Sequence, residues 1–221
     1  MKSNLSRASL LAAAFIAAAG GAHAQGDVSF NAAVANDYVW RGVSQTDNGA
    51  TIQGGVDYTN GGFYVGGWAS NVDYGSDADI EIDLYGGFRG AFTEALSWDV
   101  GVIGYFYPGE EDLDFVEVKA GLGYTVDAVT LGATAYYDPD NKNTYVEGTG
   151  AYAFSEKLKG LASVGNASFD GGGDYTNWSL GGAYAFGAFD LTLKYSDTDI
   201  DDAVAGDVAD ENFVVMISKV F

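Results

Sequence analysis

Along most of the chain, apolar and polar residues alternate in stretches of about ten, the pattern of β-strands whose two faces meet unlike surroundings. The sharpest stretch runs from Ile80 to Arg89. Ile80, Ile82, Leu84 and Phe88 share one face, and Glu81, Asp83, Tyr85 and Arg89 share the other. The same alternation passes through Leu96, Trp98, Val100, Val102 and Phe106, then through Val116, Val118, Ala120, Leu122 and Tyr124, then through Val129, Leu131, Ala133, Ala135 and Tyr137. It returns in Trp178, Leu180, Tyr184 and Phe186, and again in Phe189, Leu191, Leu193 and Tyr195. Turn residues between these runs predict twelve strands: 27–40, 50–59, 62–72, 79–90, 96–107, 114–125, 128–138, 143–154, 158–168, 175–187, 188–197 and 211–221. Alternation is poorest in 62–72 and 158–168. Nothing in the pattern marks a linker or a second domain.

The connections alternate too. Every second one is tight: Thr59-Asn60-Gly61-Gly62, 91–95, Val126-Asp127, Ser155-Glu156-Lys157 and Gly187-Ala188. The others, 41–49, 73–78, 108–113, 138–142, 170–174 and 197–211, are longer and acidic. Short turns at one end and long loops at the other are the signature of an outer-membrane barrel, and the strands approach the roughly 9–11 residues that a tilted strand needs to cross a bilayer. The expected fold is therefore all-β, a transmembrane antiparallel up-and-down β-barrel of about 12 strands, with ten as the alternative count and both termini periplasmic. A soluble secreted β-sandwich would also alternate. Against it stand two aromatic bands on the apolar face: Tyr58, Phe63, Phe88, Trp98, Tyr124, Phe154, Phe186 and Phe189 toward the turns, and Trp40, Phe106, Tyr137 and Tyr195 toward the loops. Such bands resemble interfacial girdles.

Composition narrows the function. Lys2 and Arg7 precede an apolar run from Ala8 to Ala19, and Ala22-His23-Ala24 supplies a cleavage site, so residues 1–24 read as a signal peptide and 25–221 as a single barrel domain. The run is too short for a spanning helix. There is no Cys, and the one His lies in the signal segment; imidazole-based nucleophilic catalysis and zinc chemistry both lose their usual groups. No enzyme activity and no cofactor are expected. A net charge of −21 argues against a nucleic-acid partner. The acids between Asp197 and Glu211 fit no EF-hand spacing and read as a solvated loop.

The last strand places Phe213, Val215, Ile217 and Phe221 on one parity, with Lys219 as a departure. A terminal aromatic on such a strand resembles the signal through which bacterial barrels engage the outer-membrane assembly machinery. Near the other end, Asn36-Asp37-Tyr38-Val39-Trp40-Arg41-Gly42-Val43-Ser44-Gln45-Thr46, Ile52-Gln53-Gly54-Gly55, Gly62 to Gly66, Trp68 to Val72, Glu81 to Gly87 and Tyr105 to Gly109 are similar to blocks of the TorF-like family, conserved hypothetical outer-membrane barrels assigned a porin role. The likeness covers roughly residues 36–120. It implies a barrel with pore function in the bacterial outer membrane and supplies no substrate and no site residues.

With the apolar parity toward lipid, the other parity lines the lumen. Asp37, Arg41, Glu81, Asp83, Tyr105, Glu117, Lys119, Glu147 and Lys194 then fall in the loop-side half, with Glu81, Tyr105 and Glu117 at similar height. Five acids against three bases form a zone that favours cations. The competing reading has these charges pair across the lumen and fill it, with Arg89 and Asp99 as one such pair. Two functions follow: a passive channel for small hydrophilic solutes with weak cation preference, or a non-conducting structural or adhesive surface barrel. Outer-membrane lipid and the assembly machinery are the expected partners.

Overall fold

The computed structural model describes residues 26–221, so the signal-peptide reading of 1–24 lies outside the described residues. Twelve strands close into one antiparallel barrel. They are β1 (Asp27–Ala35), β4 (Thr51–Asn60), β5 (Phe63–Asn71), β6 (Ile80–Ala91), β7 (Leu96–Phe106), β8 (Phe115–Val126), β9 (Val129–Tyr137), β10 (Thr144–Ala153), β11 (Leu158–Ser168), β12 (Tyr175–Phe186), β13 (Phe189–Thr198) and β14 (Asn212–Val220). Each strand pairs with its sequence neighbours around the ring, and β1 closes on β14 with Asn31 opposite Val220 and Ala35 opposite Met216. Two further strands, β2 (Val39–Trp40) and β3 (Val43–Ser44), form a separate two-stranded sheet. Past the end of β14 at Val220 the closure continues at Phe221, whose N–H donates to the Phe30 carbonyl at 2.8 Å.

Strand register keeps the two parities apart. Outward residues such as Ile52 (68 % exposed), Leu180 (61 %) and Leu84 (57 %) present their side chains to the surroundings, whereas Glu81 on the inward parity is 2 % exposed. An apolar surface that encircles the molecule is far beyond what a water-soluble protein tolerates, and it suits acyl chains. Phe63, Phe88, Phe154 and Phe189 at the turn end, and Phe106, Tyr137 and Tyr195 at the loop end, face outward as a pair of bands. Lys219 fits the lower band, its ammonium 4.2 Å from the Phe221 ring centre and 5.7 Å from that of Phe189.

The two segments of poorest alternation are full strands. In β5 the inward residues are Tyr64, Gly66, Trp68 and Ser70; the Tyr85 ring lies where a Cβ of Gly66 would be, 2.6 Å away. Space filled by a neighbour replaces the polar side chain that alternation leads one to expect.

The largest departure from the sequence pattern is in the first strand. β1 stops at Ala35, not at residue 40, because β4 has only ten residues to pair with it. At Asn36 the ladder ends: its backbone N–H still donates to the Val215 carbonyl at 3.3 Å, while its side-chain amide donates to the Phe213 carbonyl at 3.0 Å and accepts from the Val215 N–H at 2.6 Å. Residues 36–50 then turn into the barrel instead of extending beyond it.

Candidate functional site: a loop across the lumen

Residues 36–50 form a folded unit. Ser44 and Thr46 donate hydroxyl hydrogen bonds to one oxygen of Asp37 (2.7 and 3.0 Å), and the Thr46 Oγ1 accepts from the Tyr38 N–H at 3.1 Å. The other Asp37 oxygen is buried with no hydrogen-bond partner. β2 and β3 face each other through Val39–Ser44 and Trp40–Val43, so a two-residue turn joins them. Both turn residues have positive φ, Arg41 at 49° and Gly42 at 88°, the conformation of a type I′ hairpin.

This hairpin spans the barrel. Around the ring, β9 lies diametrically opposite β1, and Arg41 meets the wall at β8, β9 and β10. Its guanidinium makes a bidentate pair with Glu117 of β8 (2.8 and 2.7 Å). It also lies 5.0 Å from the Tyr136 ring of β9, 4.0 Å from the Tyr145 ring of β10, and 4.1 Å from the ring of its own neighbour Trp40. Burial works against the guanidinium charge, but hydrogen bonding to Glu117 and its negative charge outweigh it and raise the pKa. Gly42 abuts β12 and β13: a Cβ there would strike the Thr198 methyl and come within 2.8 Å of the Asn177 Cβ. Trp40 therefore does not belong to the outer aromatic band. It packs edge-on against Tyr105 at 5.9 Å and near Phe115 at 6.4 Å, inside the barrel.

A second attachment lies on β6. Tyr38 donates to one oxygen of Glu81 at 2.9 Å and Tyr107 to the other at 3.0 Å, and the Tyr38 ring meets Trp68 at 5.3 Å. Burial, then the charge of Glu81, push the Tyr38 and Tyr107 hydroxyls well above the usual tyrosine range, so both stay protonated donors. Neighbouring loops close over the unit: the Asp73 N–H donates to the Gln45 carbonyl at 2.8 Å and the Tyr74 hydroxyl to the Gln45 side chain at 2.8 Å.

The predicted lumen residues thus separate into groups. Asp37 and Arg41 belong to the inward loop and not to a strand. Glu81 and Asp83 lie on β6, with one Asp83 oxygen buried and unpartnered. Tyr105 donates to Glu117 at 3.1 Å, and its ring stacks on Phe115 at 4.3 Å. Lys119 pairs with Asp99 at 3.3 Å, and Tyr64 donates to Asp99 at 2.9 Å. This corrects the expected Arg89–Asp99 pair: the two are opposite in register, but Arg89 lies over the Tyr64 ring at 5.6 Å while Lys119 takes the carboxylate. Glu147 on β10 and Lys194 on β13 join none of the three ion pairs among the described residues. Sequence reasoning missed Tyr38, Trp68, Tyr107, Tyr136 and Tyr145. The parity opposite Tyr137 could have pointed to Tyr136, and the parity of Glu147 to Tyr145, but no pattern showed that a distant arginine would reach them.

A closed twelve-stranded antiparallel barrel with an apolar girdle and a polar interior is a fold found among bacterial outer-membrane porins. Among solved structures, the KdgM porin superposes with a TM-score of 0.65 at 8% identity over 87% of this chain and 99% of KdgM. The NanC porin gives 0.60 at 8% identity over 88% and 98%. The chain belongs to the Gcw_chp family, described as bacterial proteins of unknown function, whose model matches residues 18–221. No curated protein matches it in sequence.

Proposed function

We propose that the protein is a narrow diffusion channel of the bacterial outer membrane for small hydrophilic solutes, with a modest preference for cations and no catalytic role. The supporting observation is a lumen crossed by one folded loop that is fastened to the wall through side chains such as Arg41 and Tyr38, inside a barrel that is closed and apolar outside. Two of the lumen carboxylates are neutralised by ion pairs, Glu117 by Arg41 and Asp99 by Lys119. Outside those pairs, the four acids Asp37, Glu81, Asp83 and Glu147 stand against the two cations Arg89 and Lys194 among the described residues, which supports a modestly net negative passage. A second structure of KdgM is described as a complex with disordered oligogalacturonate, a polyanion. A chain of formal charge −21 is poorly matched to such a solute, so we assign small cations and neutral solutes here. The TorF-like blocks within residues 36–120 agree with a pore role, and the terminal strand ending at Phe221 agrees with recognition by the assembly machinery.

A non-conducting surface barrel is favoured by a different observation: the hairpin reaches from β1 to the opposite wall. Planar-bilayer recording on the purified protein separates the two readings. Discrete channel events with a cation-selective reversal potential in a salt gradient are expected; silence at protein densities where a known porin conducts refutes the channel.

A further inference from the structure

Arg41 occupies a receptor whose groups belong to the barrel wall and not to the loop that carries it. Glu117, Tyr105, Tyr136 and Tyr145 come from four successive strands, β7 to β10, and contacts among wall residues hold them. Tyr105 holds one Glu117 oxygen at 3.1 Å. The Tyr145 hydroxyl bonds Asn177 of β12 at 3.2 Å, and the Tyr136 and Tyr145 rings pack 6.0 Å apart. Together they present a carboxylate fork aligned for two N–H donors and ring faces flanking the same point, which is the complement of a planar guanidinium. Only Trp40 and the arginine itself arrive with the hairpin.

Three further facts bear on whether that place can be exchanged. A pocket of about 220 Å³ adjoins it, lined by Arg41, Glu117, Trp40, Phe115, Asn143 and Tyr175 among others, so a small molecule has room beside the bound guanidinium. Arg41 reaches the wall with φ at 49°, a left-handed conformation that costs a non-glycine residue energy and weakens the tether. Glu117, only 3 % exposed, cannot be left empty cheaply, because an uncompensated buried carboxylate is strongly unfavourable. Departure of Arg41 therefore calls for another cation in its place.

We infer that the Glu117–Tyr105–Tyr136–Tyr145 cradle is a binding site for solutes bearing a guanidinium group, and that Arg41 is a tethered occupant which such a solute displaces. Displacement frees the hairpin tip from the wall opposite β1. Binding is independent of the channel reading; the consequence for passage rests on it.

The test uses the full-length protein in detergent, titrated calorimetrically with free arginine and, as the neutral isostere, citrulline, at constant ionic strength. Arg41→Ala vacates the cradle and is expected to bind arginine about tenfold or more tightly than wild type, as loss of an internal competitor held by charge-assisted and cation–π contacts requires. Citrulline should not bind, and Glu117→Gln added to Arg41→Ala should abolish the gain. Equal affinity of Arg41→Ala and wild type for arginine, equal binding of citrulline, or retention of the gain without Glu117 would each overturn the inference. Assembly is checked by heat-modifiable gel mobility. Should Arg41→Ala not assemble, Gly42→Ala, which leaves every cradle group in place, takes its role with the same outcomes. A protein that binds arginine but passes no current sinks the channel reading alone; one that conducts but binds none sinks this one alone.

Discussion

Gly42→Ala isolates the seating of the hairpin from its charges. Position 42 has φ at 88°, so an alanine there carries a left-handed penalty of about 1 kcal/mol or more. Its Cβ would strike the Thr198 methyl and lie 2.8 Å from the Asn177 Cβ, and overpacking of that kind costs about 1–3 kcal/mol. Thr198 is β-branched and both residues sit in or at the end of barrel strands, so neither can simply swing aside. The low end of the sum, about 2 kcal/mol, multiplies the ratio of unseated to seated hairpin by about 30. The chain has no cysteine, so Val43→Cys gives a single reporter beside the turn. With Gly42→Ala added, its reaction with a small polar maleimide should accelerate by the same factor wherever opening precedes labelling. In bilayers the mean single-channel conductance should rise. Unchanged labelling and unchanged conductance together would refute the claim that the tip is held by contact with β12 and β13.

Neutralising Glu81 and Asp83 together to Gln and Asn should shift the reversal potential in a salt gradient toward anions without ending conductance; unchanged selectivity places the constriction elsewhere. The wild-type preference should weaken as salt rises, since fields from the outer loops are screened over roughly 8 Å at physiological ionic strength. Deleting Phe221 removes its backbone bonds with Phe30, at 2.8 and 3.5 Å, and should lower the yield of heat-modifiable barrel in membranes; normal yield argues against a role for the terminal residue in assembly. A membrane-impermeant label should reach Ser76→Cys in intact cells but not Asn60→Cys, and the reverse pattern would invert the topology.

Most of the barrel was legible in the sequence because a membrane strand has a local rule. Lipid on one side and a polar lumen on the other impose a period of two, and each residue obeys it through its own environment. Eleven of the twelve strand segments, the two sets of connections and nearly all of both aromatic bands follow from it. The exceptions share one cause. Trp40 and Arg41 continue the alternation of the first strand in sequence, but β4 is too short to pair with them, and pairing length is a property of two strands. Arg41 was recognisable as a lumen residue; its partners on the far wall were not, since β8 to β10 come opposite β1 only when twelve strands close into a ring. The Lys119–Asp99 pair tells the same story on a smaller scale. Register sets Arg89 directly across from Asp99, yet which cation takes the carboxylate depends on where Tyr64 puts its ring, and that is decided by packing across strands. Periodicity thus determined what faces lipid and what faces the lumen, while closure of the ring decided what meets inside it.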